Sequence, residues 1–169
     1  MRLVRMIVPL LTAVVALLVL APVAAAATTE TGTATARIRG VEYAATATEG
    51  RFGGAASGGV RGAWLATVVH DPLRAGRAVP VTGGSFALHG PQHDVRGTFV
   101  GGRVAPRGTP AAYGNELFDV TGDVALDGGG RGAVRVVLTH LRVATRSGCR
   151  TYGAVVAGSL TVPTRTSAA

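Results

Sequence analysis

Apolar and polar residues alternate along most of this chain with a period of two. Between residues 36 and 162 no stretch keeps an apolar repeat of 3.6, and closely spaced glycines work against helices. Valine and threonine are abundant and fall in alternating runs, the pattern of half-buried strands. It predicts seven strands, over about 36–46, 60–70, 80–89, 94–104, 116–126, 132–143 and 151–162, and an eighth near "RFGGAA" at 51–56. Turn chemistry separates them: "DPLRAGRAVP" from Asp71, "HGPQHD" from His89, "APRGTPAAYGN" from Ala105, "LDGGGRG" from Leu126 and "RSGCR" from Arg146. Short strands at regular spacing predict an all-β fold, a single antiparallel meander barrel of seven or eight strands. A β-sandwich is the alternative, since it reads as the same alternation. The small polar stretch 28–35, "TTETGTAT", reads as a flexible lead-in, and 163–169, "PTRTSAA", as a disordered tail, leaving 36–162 as the barrel domain.

Two repeats refine this picture. "RGAWLATVVH" (61–70) and "RGAVRVVLTH" (131–140) both open on Arg-Gly-Ala, run through an apolar stretch and close on histidine. Alternation puts Trp64, Ala66, Val68 and His70 on one face, and Val134, Val136, Leu138 and His140 on the equivalent face. Those rows are apolar until the histidine, so they are predicted to point inward, with each histidine at a mouth of the barrel. In a simple meander the two strands run the same way, so His70 and His140 share a rim, whereas His70 and His89 lie at opposite rims. The second repeat is Val-x-Gly-x-apolar: "VRGTF" (95–99), "VTGDV" (120–124), "VAGSL" (156–160) and, with one extra glycine, "VTGGSF" (81–86). Glycine on the inward face makes room for a neighbour or lets a strand bend, and the extra glycine is a candidate bulge.

The N-terminus changes the picture of location. Arg2 and Arg5 precede an apolar run, "MIVPLLTAVVALLVLA" (6–21), and "PVAAAA" follows with small residues for cleavage after Ala26 or Ala27. Residues 1–27 therefore read as a signal peptide, and the protein as secreted, extracellular or associated with the cell envelope, with no stable membrane insertion after cleavage. An uncleaved anchor is the competing reading, since Val8–Ala27 is about 20 residues, near the length of a membrane span. Cys149 is the only cysteine, so no intrachain disulfide can form. It is either a small buried side chain or, beside Arg146 and Arg150, a thiol made reactive by nearby positive charge.

Charge excludes some partners. The formal net charge is +8 and every basic residue is arginine, but the arginines are scattered and the chain holds only eight aromatics. Nucleic-acid binders need clustered charge, and single-strand binders also need aromatic platforms, so no nucleic-acid partner is expected.

Catalytic motifs are sparse. "HGPQH" puts His89 and His93 four apart, but Gly90 and Pro91 make this a turn, so helical convergence on a metal is lost and the pair remains a weak metal candidate. No G-x-S-x-G occurs, and "GGAASGGV" lacks the ending of a phosphate loop. Glu42, Glu116 and Asp119 are available as carboxylates, but no spacing selects a pair. His70 and His140 are the weak catalytic candidates, as an acid–base or metal pair at one mouth, against a role as half-buried plugs between core and water. No cofactor is expected.

On "GAWLATVVHDPL", "VTGGSF" and "LTHLR" followed by "GC", the chain resembles small secreted β proteins of actinomycetes over about residues 60–162. The meander is also loosely similar in architecture to allene oxide cyclase-like and lipocalin-like barrels. The resemblance implies a β-barrel and no particular chemistry. The expected function is non-enzymatic binding, of a small apolar ligand inside the barrel (at Trp64, His70, Phe86, Phe99 and His140) or of a partner such as an envelope component at one rim. The alternative is a small barrel enzyme, an isomerase or cyclase, using a mouth histidine with an arginine.

Overall fold

Alternation sets which residues face inward, and strand pairing decides how the sheet closes. The computed structural model describes residues 30–91, 94–108 and 114–166. They form eight strands: β1 (Glu30–Ala45), β2 (Glu49–Gly58), β3 (Gly62–His70), β4 (Val79–His89), β5 (Asp94–Pro106), β6 (Glu116–Leu126), β7 (Arg131–Thr145) and β8 (Gly148–Thr166). Each pairs antiparallel with its sequence neighbour, and β8 returns to pair with β1. The sheet is thus a closed eight-strand meander barrel. Closure leaves no edge strand in the barrel wall, where a sandwich would leave several. The "RFGGAA" segment is β2, the eighth strand.

One expectation from sequence needs correction. The lead-in and the tail are strands where the structure describes them. Glu30–Thr35 pairs residue for residue with Thr161–Thr166. Each segment alone is too polar to hold a structure, but each supplies the other's backbone hydrogen bonds, and Thr35 Oγ1 lies 3.3 Å from Thr161 Oγ1. The candidate signal peptide and residues 167–169 lie outside the described residues.

The inward rows are those that alternation predicts. Trp64, Ala66 and Val68 are buried, as are Val134 and Leu138, with Val136 packed against them. Glycines admit two of the large aromatic groups. Gly40 continues the inward row Ala36–Ile38, and a Cβ there would stand 2.8 Å from Trp64 Cζ2. The indole therefore reaches across to β1 and β2, and its Nε1–H donates to the carbonyls of Arg39 and Ala55, each at 3.2 Å. A buried indole needs such a partner. Gly122, the glycine of "VTGDV", does the same for Phe99, whose Cε1 would lie 2.6 Å from a Cβ. The extra glycine of "VTGGSF" falls where pairing with β3 slips, between Val69–Gly83 and His70–Val81, and Gly84 has φ of 127°.

Candidate functional site

The ends of β1, β3, β5 and β7 and the starts of β2, β4, β6 and β8 form one mouth. Its connections include the two longest, 71–78 and 107–115. Here four of the eight inward rows end on a polar residue. Ala36–Ile38–Gly40 ends on Glu42, Trp64–Ala66–Val68 on His70, Val134–Val136–Leu138 on His140, and Val124–Gly122–Val120–Phe118 on Glu116. His70 and His140 thus share a rim, and His89 lies at the other.

Three strands converge on His140. Its Nε2 is 3.5 Å from Glu42 Oε2 on β1, and its Nδ1 is 3.8 Å from Glu116 Oε2 on β6. Arg142, next along the inward row of β7, holds Glu116 Oε1 at 3.1 Å through NH1. The Arg142 backbone N–H donates to Asn115 Oδ1 at 3.2 Å. Phe118 packs on the imidazole with ring centroids 5.1 Å apart and planes tilted by 59°. Side-chain exposure is 17% for His140 and 12% for Glu42, so water screens these charges less than at an open surface. A neutral imidazole has one N–H and can serve one carboxylate, whereas an imidazolium serves both. The carboxylates face opposite ring nitrogens and cannot converge with His140 on one ion. Among the described residues, no group of three or more His, Cys, Asp or Glu is arranged to hold a metal.

His70 opens on the same small recess as Glu42, Glu49 and His140, about 60 Å³ in volume. The mouth brings the two histidines to one recess but gives their nitrogens different partners. His70 Nδ1–H donates to the carbonyl of Asp71 at 2.7 Å. Glu49 is engaged by Arg51 at 2.7 Å, and this hydrogen bond, with the carboxylate charge, holds the Arg51 guanidinium above its usual range.

Beside the recess is a larger cleft of about 510 Å³, lined by residues 73–76, 106–108 and 115–118 with His140. Leu73, Arg74, Arg107, Glu116, Phe118 and His140 are among the residues that line it. Arg107 is paired with Asp119 through NH2–Oδ1 at 2.8 Å and Nε–Oδ2 at 3.2 Å.

The barrel axis is different. Trp64, Phe86 and Phe99, expected from the sequence as ligand-binding residues, line an internal void of only about 40 Å³ with Val68, Val120 and Leu138. All three are at most 7% exposed and belong to the hydrophobic core. An eight-strand barrel is just wide enough for its own side chains. Of the weak metal candidates, His89 lies at the far rim with Nδ1 3.2 Å from Asp94 Oδ2, and His93 lies outside the described residues. Cys149 is half-buried on β8, opposite Ala144 of β7.

Sequence reasoning named Glu42 and Glu116 without selecting them. The signal that finds them is the parity that placed the histidines. Both continue an inward apolar row to the same mouth.

Comparison with known protein families, curated proteins and solved structures finds no match for this chain.

Proposed function

We propose that the chain is an exported, non-enzymatic binding protein that takes its ligand at the His140 mouth. The observation that carries this reading is the contrast in space along the barrel. A void of about 40 Å³ inside leaves no room for an organic ligand, while the cleft at the mouth, about 510 Å³, falls in the usual range of about 300–1,000 Å³ for small-molecule sites. Of the two places the sequence offered for a ligand, this contrast favours the rim over the interior. The cleft also has the composition of a site, with an apolar floor (Leu73, Pro106, Phe118) and a few charged groups at its edge.

The test is a titration of the processed protein with a mixture of small organic molecules, followed by backbone amide NMR. Binding at the mouth moves the amides of Leu73, Arg74, Arg107, Leu117 and His140. Shifts confined to the far rim or the outer sheet face would sink the reading. Export is tested separately: the full chain, expressed in a secreting host, should appear in the medium with an N-terminus at Ala27 or Thr28. Retention of Met1 in a membrane fraction would favour the uncleaved anchor.

One observation favours a second reading, the small barrel enzyme. His140 stands between two carboxylates, with Arg142 on one of them, an arrangement that could relay a proton. His140→Ala separates the two. A binding protein keeps saturable binding and shows no chemical change in the bound molecule, whereas an enzyme shows turnover that this substitution removes.

A further inference from the structure

Charge pairing at the mouth is uneven. Three charged residues, Arg74, Arg107 and Glu116, line the cleft together with His140. Glu116 is shared by Arg142 and His140, and Asp119 grips Arg107 with both oxygens. Arg74 alone has no carboxylate within ion-pair distance among the described residues. An anion entering the cleft therefore meets one unneutralised guanidinium, whereas a cation meets a single carboxylate, Glu116, already held by Arg142. The loop that carries Arg74 is ordered by its own hydrogen bonds. Arg77 N–H donates to the Arg74 carbonyl at 3.1 Å across a turn through Gly76, whose φ is 67°, and Asp71 N–H donates to the Pro80 carbonyl at 3.2 Å. The backbone under the guanidinium is thus set before a ligand arrives, which lowers the entropy cost of binding. A planar guanidinium matches a carboxylate through two parallel hydrogen bonds. The cleft includes apolar residues beside Arg74, and the barrel interior holds a void of only about 40 Å³, so a ligand's body must fit the cleft of about 510 Å³ and finds no internal channel for a long chain.

From this we infer that the cleft takes a compact aromatic or branched carboxylic acid. Its carboxylate lies on Arg74 with Arg107 beside it, and its body rests against Leu73, Pro106 and Phe118. The inference rests on the mouth being a binding site and adds the ligand class.

The experiment is calorimetric titration of the processed protein, with amide NMR to locate binding. The probes are 3-phenylpropanoate and 4-methylpentanoate, with 3-phenylpropanamide, 3-phenylpropylamine and dodecanoate as contrasts. At least one compact acid binds at the mouth, and the amide and the amine bind about tenfold or more weaker, as expected for loss of a charge-assisted hydrogen bond. Dodecanoate binds no tighter than the compact acids. Arg74→Gln, at an exposed loop position, leaves the melting temperature unchanged and lowers acid affinity about tenfold, to the level of the amide. Amide binding equal to acid binding, or an Arg74→Gln variant with unchanged acid affinity, overturns the carboxylate assignment and leaves the mouth as a binding site. Tighter binding of dodecanoate overturns the compact body. Failure of both compact acids to bind overturns the ligand class. Acid binding located away from the cleft overturns the mouth reading itself.

Discussion

The two mouths of this barrel are built from the same strands and differ in almost everything else. At the far mouth the connections 59–61, 90–93 and 127–130 have three or four residues, and Ile38, Leu88, Val124 and Leu160 are at most 2% exposed. Its charged groups sit outside: His89 and Asp94 are 46% and 50% exposed. At the His140 mouth two connections, 71–78 and 107–115, are longer, four inward rows end on ionisable groups, and three of those groups meet across strands. The difference teaches where apolar burial gives way to charge. Rows that stay apolar to their last position seal a rim. At the His140 mouth four rows end instead on Glu42, His70, Glu116 and His140, beside the short connections 46–48 and 146–147 as well as the long ones, so it is the last inward residue and not loop length that puts charge at this rim.

Substitutions test that division, from large effects to small. At the sealed end, Trp64→Ala should destabilise by about 3–5 kcal/mol and Leu88→Ala by about 2–5 kcal/mol, through lost burial and the cavity left behind. Urea unfolding would measure this, and a loss under about 1 kcal/mol would mean that the sealed end does not hold the barrel. Next comes Gly122→Val, which drives Phe99 off its seat at a cost of about 1–3 kcal/mol. A rotated Phe99 with retained stability would show instead that the core has slack. At the open end, Glu116→Gln should cost only about 1 kcal/mol, since it weakens partly exposed ion pairs. The double variant Glu116→Gln/His140→Ala should show coupling of about 0.5–1 kcal/mol, read from a four-way unfolding cycle. Strict additivity would mean that the two residues act independently. The smallest effect belongs to Asp94→Asn at the far rim, within about 0.5 kcal/mol by thermal melting, because the His89–Asp94 pair is half in water.

Much of this was readable from the chain. Parity along "RGAWLATVVH" and "RGAVRVVLTH" placed Trp64 and Leu138 inside and both histidines at one rim, because a strand has only two faces and a meander only two directions. The extra glycine of "VTGGSF" marked the slip opposite Val69 and His70. The polar ends 30–35 and 163–166 were not readable as strands, since their order comes from pairing with each other across the whole length of the domain. Parity carries Glu42 and Glu116 to that rim, but their meeting with His140 was not readable. Glu42, Glu116 and His140 belong to β1, β6 and β7, and no local spacing relates them.

The sequence by itself determined the strands, their inward faces and the rim to which each row runs, since period-two alternation and turn residues are local properties. Tertiary structure alone decided three further things. Closure of β8 on β1 made the sheet a barrel. The packing of Trp64 past Gly40 and Phe99 past Gly122 filled its interior. The meeting of Glu42, Glu116 and Arg142 around His140 built a polar mouth beside a cleft. All three depend on how distant strands lie against one another, and alternation along one strand carries no record of which residue stands across from it.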